Sequence, residues 1–328
     1  MNAPGSTLKM TRRTALAGAM GAAAVLGLSR VGVRAQSTPE AGPFSGLGLP
    51  ELNVTITDTG YEGIPSTLTA GRYLVTATAN TKPISGQQQP PTVAFISPTS
   101  AGMTAADFLQ ILAPPPASSP EAGAPPAAGG HQGGGDQHLP LQVYQMPFAG
   151  GVLVPSGQTA QAVIDLKAGE WIAWADDPSI PITPTVFTVT GDVPADLPEP
   201  ASDITATLID FAITIEGNLT AGKHVIKVQH HGAQPHFLEI DKGPDTMTKE
   251  MVQATLDGEM SGTPAAGGMS ESDLSPVFFA PTQSIGTTAW YEIDLPAGTM
   301  LAACFFPTAG TGVPHAMNGM IDVFTVTG

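Results

Sequence analysis

The sequence predicts an all-β fold made of two tandem Greek-key β-sandwiches, each with a short helical insertion. Three observations predict it. Motifs of the first half recur in the same order in the second half. Both halves are dominated by short segments rich in β-branched and aromatic residues, bounded by Gly, Pro or Asp. With 328 residues, the chain is too long for one small sandwich and has a natural length for two domains.

The duplication is visible letter by letter. Val-Phe-Thr-Val-Thr-Gly occurs at 186–191 and again at 323–328. Leu-Thr-Ala-Gly followed by a basic residue occurs at 68–72 and at 219–223. Because such landmarks keep their order, the sequence indicates a tandem duplication rather than scattered chance matches.

In the second half we expect one helix among several strands. The helix should begin after Thr248, a good N-cap with Glu250 in the first turn, and a matching run follows Met103 in the first half. The predicted strands are 204–209, 224–228, 237–240, 290–295, 300–305 and 321–326.

The domain organisation follows from the repeat and from changes in composition. Between the halves lies a Pro- and acid-rich linker, and a Pro/Gly/Ala low-complexity stretch interrupts the first half. The predicted segments are a signal peptide at 1–35, a linker at 36–49, a first domain at 50–191 with a loop at 113–140, a linker at 192–202 and a second domain at 203–328.

The first 35 residues have the pattern of an export signal. Arg12 and Arg13 precede an apolar run at 14–28, and Ala35 ends a small-residue cleavage site. Paired arginines favour the twin-arginine route, although Ala15 stands where that pattern usually has Phe, which leaves Sec export open. We therefore expect a bacterial protein exported to the periplasm, cell surface or medium, with no membrane span in the mature chain.

The charge balance argues against nucleic acid as a partner. The chain has 12 Lys and Arg against 28 Asp and Glu, and five of the twelve basic residues lie in the predicted signal peptide. So acidic a protein repels nucleic acid and anionic lipid. The scattered acids favour solubility first, with a cationic redox partner as the alternative reading. The sequence makes no prediction of oligomeric state.

The single cysteine, Cys304, lies among candidate metal ligands. His315 and Met320 follow it, and His236 lies upstream, with Met317 as a rival to Met320. A lone Cys cannot close an intramolecular disulfide, so it is a buried small hydrophobe, a reactive thiol or a ligand. Two imidazoles, a thiolate and a thioether are the set that a trigonal copper site with a weak axial Met requires.

The order of these residues resembles the cupredoxin family, which includes plastocyanin, azurin and the auracyanins. His236 follows Pro235 at the start of a predicted strand, while Cys304, His315 and Met320 share the loop before the last strand. The four residues between His315 and Met320 match the plastocyanin spacing, and the longer interval after Cys304 is similar to that of copper nitrite reductases. The resemblance implies one type 1 copper bound by His236, Cys304, His315 and Met320.

The first half aligns as a copy without ligands. The repeat places Thr92 opposite His236 and Ala175 opposite Cys304. Between Pro178 and the shared hexapeptide there are seven residues, none of them His or Met. We therefore expect a degenerate cupredoxin-like domain that binds no copper.

Other histidines are given ordinary interpretations. His230 and His231 are expected in a solvated turn rather than a second metal site. His131 and His138, with Asp136, lie in the Gly-rich loop, where only weak chelation is expected.

The predicted function is that of an exported blue copper protein that transfers one electron at a time to or from a redox partner, and not an enzyme. The alternative is a metal-free cupredoxin-like structural or interaction module. Copper storage or delivery, or a multicopper enzyme, is less favoured. The chain has no His-x-His pair, and Ala303 rather than His precedes Cys304.

Overall fold

The protein is described by a computed structural model over residues 42–82, 90–112, 139–176, 180, 182–262 and 268–328. It is all-β, and its two mixed sheets form two cupredoxin-like β-sandwiches, which confirms the predicted fold class. The predicted signal peptide, residues 36–41 of the first linker, and residues 113–138, which include His131, Asp136 and His138, lie outside the described residues.

The two halves are built alike but not identically: within the described residues the first has nine strands and the second eight, and each has a helix after the strand that begins at Thr92 or His236. The first half contains β1 (Glu51–Thr57), β2 (Tyr61–Glu62), β3 (Thr67–Thr69), β4 (Gly71–Asn80), β5 (Thr92–Ile96), α1 (Ala105–Leu112), β6 (Phe148–Leu153), β7 (Thr159–Leu166), β8 (Gly169–Trp174) and β9 (Thr185–Thr190). The second half contains β10 (Ile204–Ile209), β11 (Ala212–Gly217), β12 (Gly222–His230), β13 (His236–Lys242), α2 (Lys249–Ser261), β14 (Ser275–Gln283), β15 (Thr288–Leu295), β16 (Gly298–Ala303) and β17 (Ile321–Val326).

Both sheets run through both halves. The eight-stranded sheet has the order β11-β10-β12-β15-β7-β4-β1-β2, and the nine-stranded sheet has the order β17-β16-β13-β14-β6-β5-β8-β9-β3. The halves are joined where β15 pairs with β7 and where β14 pairs with β6. The repeat predicts two sandwiches but carries no sign of this continuity, because edge pairing needs only backbone groups.

The junction has local two-fold symmetry. Tyr291 pairs with Ala162, and these two residues are equivalent in the alignment that places Gly169 opposite Gly298. An antiparallel strand that pairs with its own copy about an equivalent residue has the geometry of an isologous dimer interface. The two halves therefore meet as two identical subunits would.

Helix α2 forms where the sequence predicts it. The Thr248 side chain accepts a hydrogen bond from the Met251 backbone N–H, and Gly262 ends the helix in the left-handed conformation (φ 68°). The helix covers a small cluster separate from the main core, which we call the α2 cluster: Met247, Val252, Leu256, Leu301, Ala303, Ala316 and Ile321. Across the described ranges, no helix is both long and apolar enough to cross a bilayer.

Candidate metal centre

Three buried donor atoms converge at one end of the second sandwich. The Nδ1 atoms of His236 and His315 are 2.9 Å apart, and Cys304 Sγ lies 3.8 Å from each. All three residues are fully buried. The point equidistant from the three donors is about 2.1 Å from each, close to the roughly 2.0–2.3 Å of bonds from a metal ion such as zinc to imidazole or thiolate.

Two neighbouring strands bring His236 and Cys304 together. His236 is the first residue of β13, and Cys304 directly follows β16. These strands pair, with Glu239 opposite Ala303. The juxtaposition is therefore set by sheet register, a long-range feature of the fold.

The long interval between Cys304 and His315 closes on itself. The Thr308 N–H donates to the Val313 carbonyl at 2.8 Å, and Pro307 and Pro314 form an isolated bridge. The His315 N–H then donates to the Phe306 carbonyl at 2.9 Å. The extra residues form a small loop whose two ends pair with each other. The long interval between Cys304 and His315 therefore does not separate the two ligands.

The far side of each imidazole is held by an acceptor. His236 Nε2 lies 3.0 Å from Asp210 Oδ1, and His315 Nε2 lies 3.4 Å from Gln234 Oε1. Gln234 Oε1 also accepts from the Ala309 N–H, which identifies it as the amide oxygen. Each Nε2 therefore carries the hydrogen, and each Nδ1 presents a lone pair. Two lone pairs 2.9 Å apart repel unless a cation lies between them.

A proton is not that cation at neutral pH. Burial lowers the pKa of His236 to about 3, with the neighbouring His230 and His315 acting in the same direction. Burial also lowers the pKa of His315 to about 4. Both rings are thus neutral near pH 7, and the donor set fits a metal ion.

The thiol has the wrong properties for a nucleophile. Burial raises the pKa of Cys304 to about 12, although the backbone groups of Phe306 and Phe237 act against this. Reactive cysteines have lowered pKa values and partial exposure, and Cys304 has neither. A bound metal ion would displace the thiol proton, so ligation is the chemistry that this sulfur can perform.

The two candidate axial methionines occupy different surroundings. Met320 is fully buried in the same core cluster as Cys304, and its carbonyl accepts from the Cys304 N–H at 3.2 Å. Its own N–H donates to the His315 carbonyl at 3.0 Å. Met317 is half-buried and packs against the α2 cluster. Met320 thus shares a core cluster with Cys304, and Met317 does not.

The prediction of a solvated turn is wrong for His230. Its side chain is buried, and its ring stacks on that of His236 at 4.7 Å. Burial lowers its pKa to about 4, and neither ring nitrogen makes a hydrogen bond of normal geometry within the described residues. The strand β12 continues to His230, and its alternation places Ile226, Val228 and His230 on the core side. His231 is exposed, as expected.

Sequence reasoning also missed the residues that surround the ligands. Asp210 and Phe211 form the two-residue turn between β10 and β11, and the Phe211 ring meets that of His315 edge-on at 5.4 Å. Gln234 lies two residues before His236. The only local signal was Asp210 at the end of a predicted strand, which by itself is typical of any turn.

In the first half, the position equivalent to the metal ligands contains a side-chain hydrogen bond. Thr92 Oγ1 accepts from the Asp176 N–H at 2.7 Å, beside the buried Ala175. The Tyr61 hydroxyl donates to the Thr92 carbonyl at 2.8 Å. Within the part of the chain that the structure describes, His236, Cys304 and His315 form the one group of three His, Cys or acidic residues suited to a metal ion.

Several solved structures are similar to this chain at low sequence identity. A dithionite-reduced auracyanin from the photosynthetic bacterium Roseiflexus castenholzii is 15% identical with a TM-score of 0.25, over 38% of this chain and 95% of its own. A multicopper oxidase is 10% identical with a TM-score of 0.21, over 84% and 88%. The copper nitrite reductase of Nitrosomonas europaea is 9% identical with a TM-score of 0.20, over 84% and 93%.

No protein-family model and no curated protein matches the chain. Since the identities and TM-scores are this low, the interpretation of the site rests on its own geometry.

Proposed function

We propose that this chain is an exported copper protein with one type 1 centre, held by His236, Cys304 and His315 with Met320 as a weak axial donor, and that it carries single electrons. The observation that carries the proposal is the facing pair of neutral Nδ1 atoms with a buried sulfur 3.8 Å from both. While the two Nε2–H groups donate to Asp210 and Gln234, neither Nδ1 atom has a proton to donate to the other.

The donor types favour copper over other metals. Thiolate and thioether are soft ligands, imidazole suits both oxidation states of copper, and a trigonal His₂Cys set with a distant Met is typical of electron-transfer copper. Copper bound here would alternate between Cu(II) and Cu(I), taking one electron from a donor protein and passing it to an acceptor protein.

The contribution of the protein to this function is to hold the ligands rigidly and to keep water away from them. Asp210 and Gln234 fix the two rings, and β13 and β16 fix the backbones of His236 and Cys304. Complete burial of the three ligands excludes water from the site. Ligands that cannot relax keep one geometry for both oxidation states, which suits electron transfer better than substrate chemistry.

A carrier is proposed rather than an enzyme. A multicopper oxidase needs further copper centres, and the described residues offer one ligand group. A metal-free interaction module is the competing function, and the experiment below separates the two.

The proposed partner is a redox protein whose docking near the ligands depends little on electrostatic attraction. The segments 229–238, 277–291 and 307–321 contain no Lys, Arg, Asp or Glu. These segments include or adjoin the ligands, and the carboxylates that act on the ligands are those of Asp210 and the buried Glu239. A cationic partner attracted by the acidic surface elsewhere stays a prediction.

The test is titration of the metal-free full chain with Cu(II), followed by visible absorption and EPR. We expect an intense thiolate-to-copper band that saturates at one equivalent and disappears on reduction. A colourless protein would contradict the proposal, and so would Zn²⁺ binding that Cu(II) cannot displace. A colourless, metal-free but stable protein would favour the interaction module.

A further inference from the structure

We propose that the turn Asp210–Phe211 is the positioning element of the metal centre, with Asp210 setting the tautomer of His236 and Phe211 covering His315. The metal's identity rests on the proposed function, whereas the arrangement of the two rings does not. The turn joins β10 to β11, and its two residues contact the two imidazoles separately.

Asp210 holds the segment that contains both His236 and Gln234. Its Oδ1 accepts from His236 Nε2 at 3.0 Å and from the Gln234 N–H at 3.1 Å. Gln234 in turn holds His315 through its side-chain oxygen. A single carboxylate therefore fixes one imidazole directly and the support of the other through the backbone.

Gly232 leaves room for this contact. A Cβ atom at this position would lie 2.4 Å from Asp210 Oδ1 and 2.5 Å from His236 Nε2, both far inside van der Waals contact. The absence of a side chain at Gly232 is thus a condition for the bond between Asp210 and His236.

Phe211 has an unusual backbone. Its φ is 63°, and across the described ranges it is the one residue other than glycine with a positive φ. A bulky residue in this region is strained and is kept where surrounding contacts require it. Here the contact is the perpendicular packing of its ring on the buried His315 ring, with Phe211 itself 36% exposed.

The first half supplies an internal comparison. Asp58 directly follows β1, as Asp210 follows β10, but its Oδ1 accepts from the Lys82 N–H at 2.9 Å. No imidazole contact of Asp58 occurs in the described part of the chain. An Asp at this strand end is therefore common to both copies, and its use as an imidazole support is peculiar to the second.

The first test uses the metal-free full chain and histidine ¹⁵N NMR at neutral pH. We expect wild-type His236 as the pure Nε2–H tautomer, a tautomer mixture in Asp210→Ala and Gly232→Ala, and recovery in Asp210→Asn, whose amide oxygen still accepts. Asp58→Asn is the matched control and should match wild type. An unchanged tautomer in Asp210→Ala would overturn the role of Asp210.

The role of Phe211 is tested by acylation of the metal-free protein with diethyl pyrocarbonate, located by mass spectrometry. His315 should react faster in Phe211→Gly, which also relieves the positive φ, and should stay protected in Phe211→Leu. Equal protection in wild type and Phe211→Gly would overturn the covering role.

Copper binding then separates this inference from the proposed function. Asp210→Ala should lose about 10- to 100-fold in copper affinity, the usual effect of removing a support of a metal-bound histidine, and Asp210→Asn should lose less. If wild type binds no copper but the tautomer changes, the proposed function fails and the positioning role stands. Equal copper affinity in wild type and Asp210→Ala would overturn the positioning role.

Discussion

The Nδ1 atoms of His236 and His315 face each other at 2.9 Å in a site closed to water. Their other nitrogens donate to Asp210 and Gln234, so neither ring can turn its proton inward without losing a hydrogen bond. Two nitrogen lone pairs at this distance repel each other, and a cation bound to both would remove the repulsion. Cys304, 3.8 Å from both nitrogens, makes a metal ion the fitting occupant.

Removing either strong ligand should abolish the visible band. Cys304→Ser and His315→Ala each leave a trigonal site with two strong donors, too few to hold copper in the required geometry. The buried hydroxyl in Cys304→Ser should cost about 1–3 kcal/mol of folding free energy in the metal-free protein. Absorption titrations and urea denaturation measure both effects, with His231→Ala as the exposed-histidine control. A blue Cys304→Ser protein would refute the assignment of the sulfur.

Replacing Met320 should change the potential and not the occupancy. Met320→Leu keeps the core volume but removes the thioether, and loss of a weak axial donor disfavours Cu(II) more than Cu(I). We expect a higher reduction potential, where a tenfold selective loss of Cu(II) affinity corresponds to about 59 mV. Met317→Leu is the matched control. A rise in Met317→Leu alone would mean that Met317 is the axial donor.

The whole chain should bind one tightly held copper. Thr92 and Ala175 stand where the second half has His236 and Cys304, and a hydroxyl and a methyl group cannot replace an imidazole and a thiolate. Elemental analysis of the full chain after dialysis against a mild chelator measures the ratio. The full chain is the proper sample because β14 and β15 pair with the first half. A ratio near two would contradict the metal-free first copy.

His224 should make stability depend on pH. Its Nδ1 lies 2.7 Å from Asp203 Oδ2 and its Nε2 lies 2.8 Å from the Thr220 carbonyl, so both nitrogens face acceptors. The hydrogen bond to Asp203 raises the pKa of His224 above its ordinary 6.5. A raised pKa in the folded state gives stability that is fully present below pH 6.5 and is lost as the pH rises through the folded-state pKa.

The variant His224→Gln isolates this contribution, since glutamine can still donate one hydrogen bond. We expect the variant to be less stable by about 1 kcal/mol near pH 5.5, because Asp203 is partly exposed and screened by solvent. The difference should shrink towards pH 9. Urea unfolding across this range measures it, and a difference that grows with pH would contradict the charged state of His224.

The sequence predicts local features of this fold well. The alternation and turn residues place β10 and β17 with the observed bounds, and Thr248 begins α2 as an N-cap should. The ligand candidates are recognisable because soft and imidazole donors are few in this chain. These features depend on residues close together in sequence, where periodicity and capping act.

Long-range features were not predictable in the same way. The joining of β14 to β6 depends on backbone groups that every residue has. Asp210 supports His236 only because the β10–β11 turn folds over the ligand end, which no local pattern encodes. The burial of His230 could have been predicted, because extending the alternation of β12 by two residues places its ring on the core side.

Copper K-edge X-ray absorption on the full chain loaded with one equivalent of copper tests the central claim most directly. The proposed centre predicts two imidazole nitrogens and one short sulfur bond around copper, with the sulfur lost in Cys304→Ser. A shell of oxygen and nitrogen donors without sulfur in the wild-type protein would contradict it.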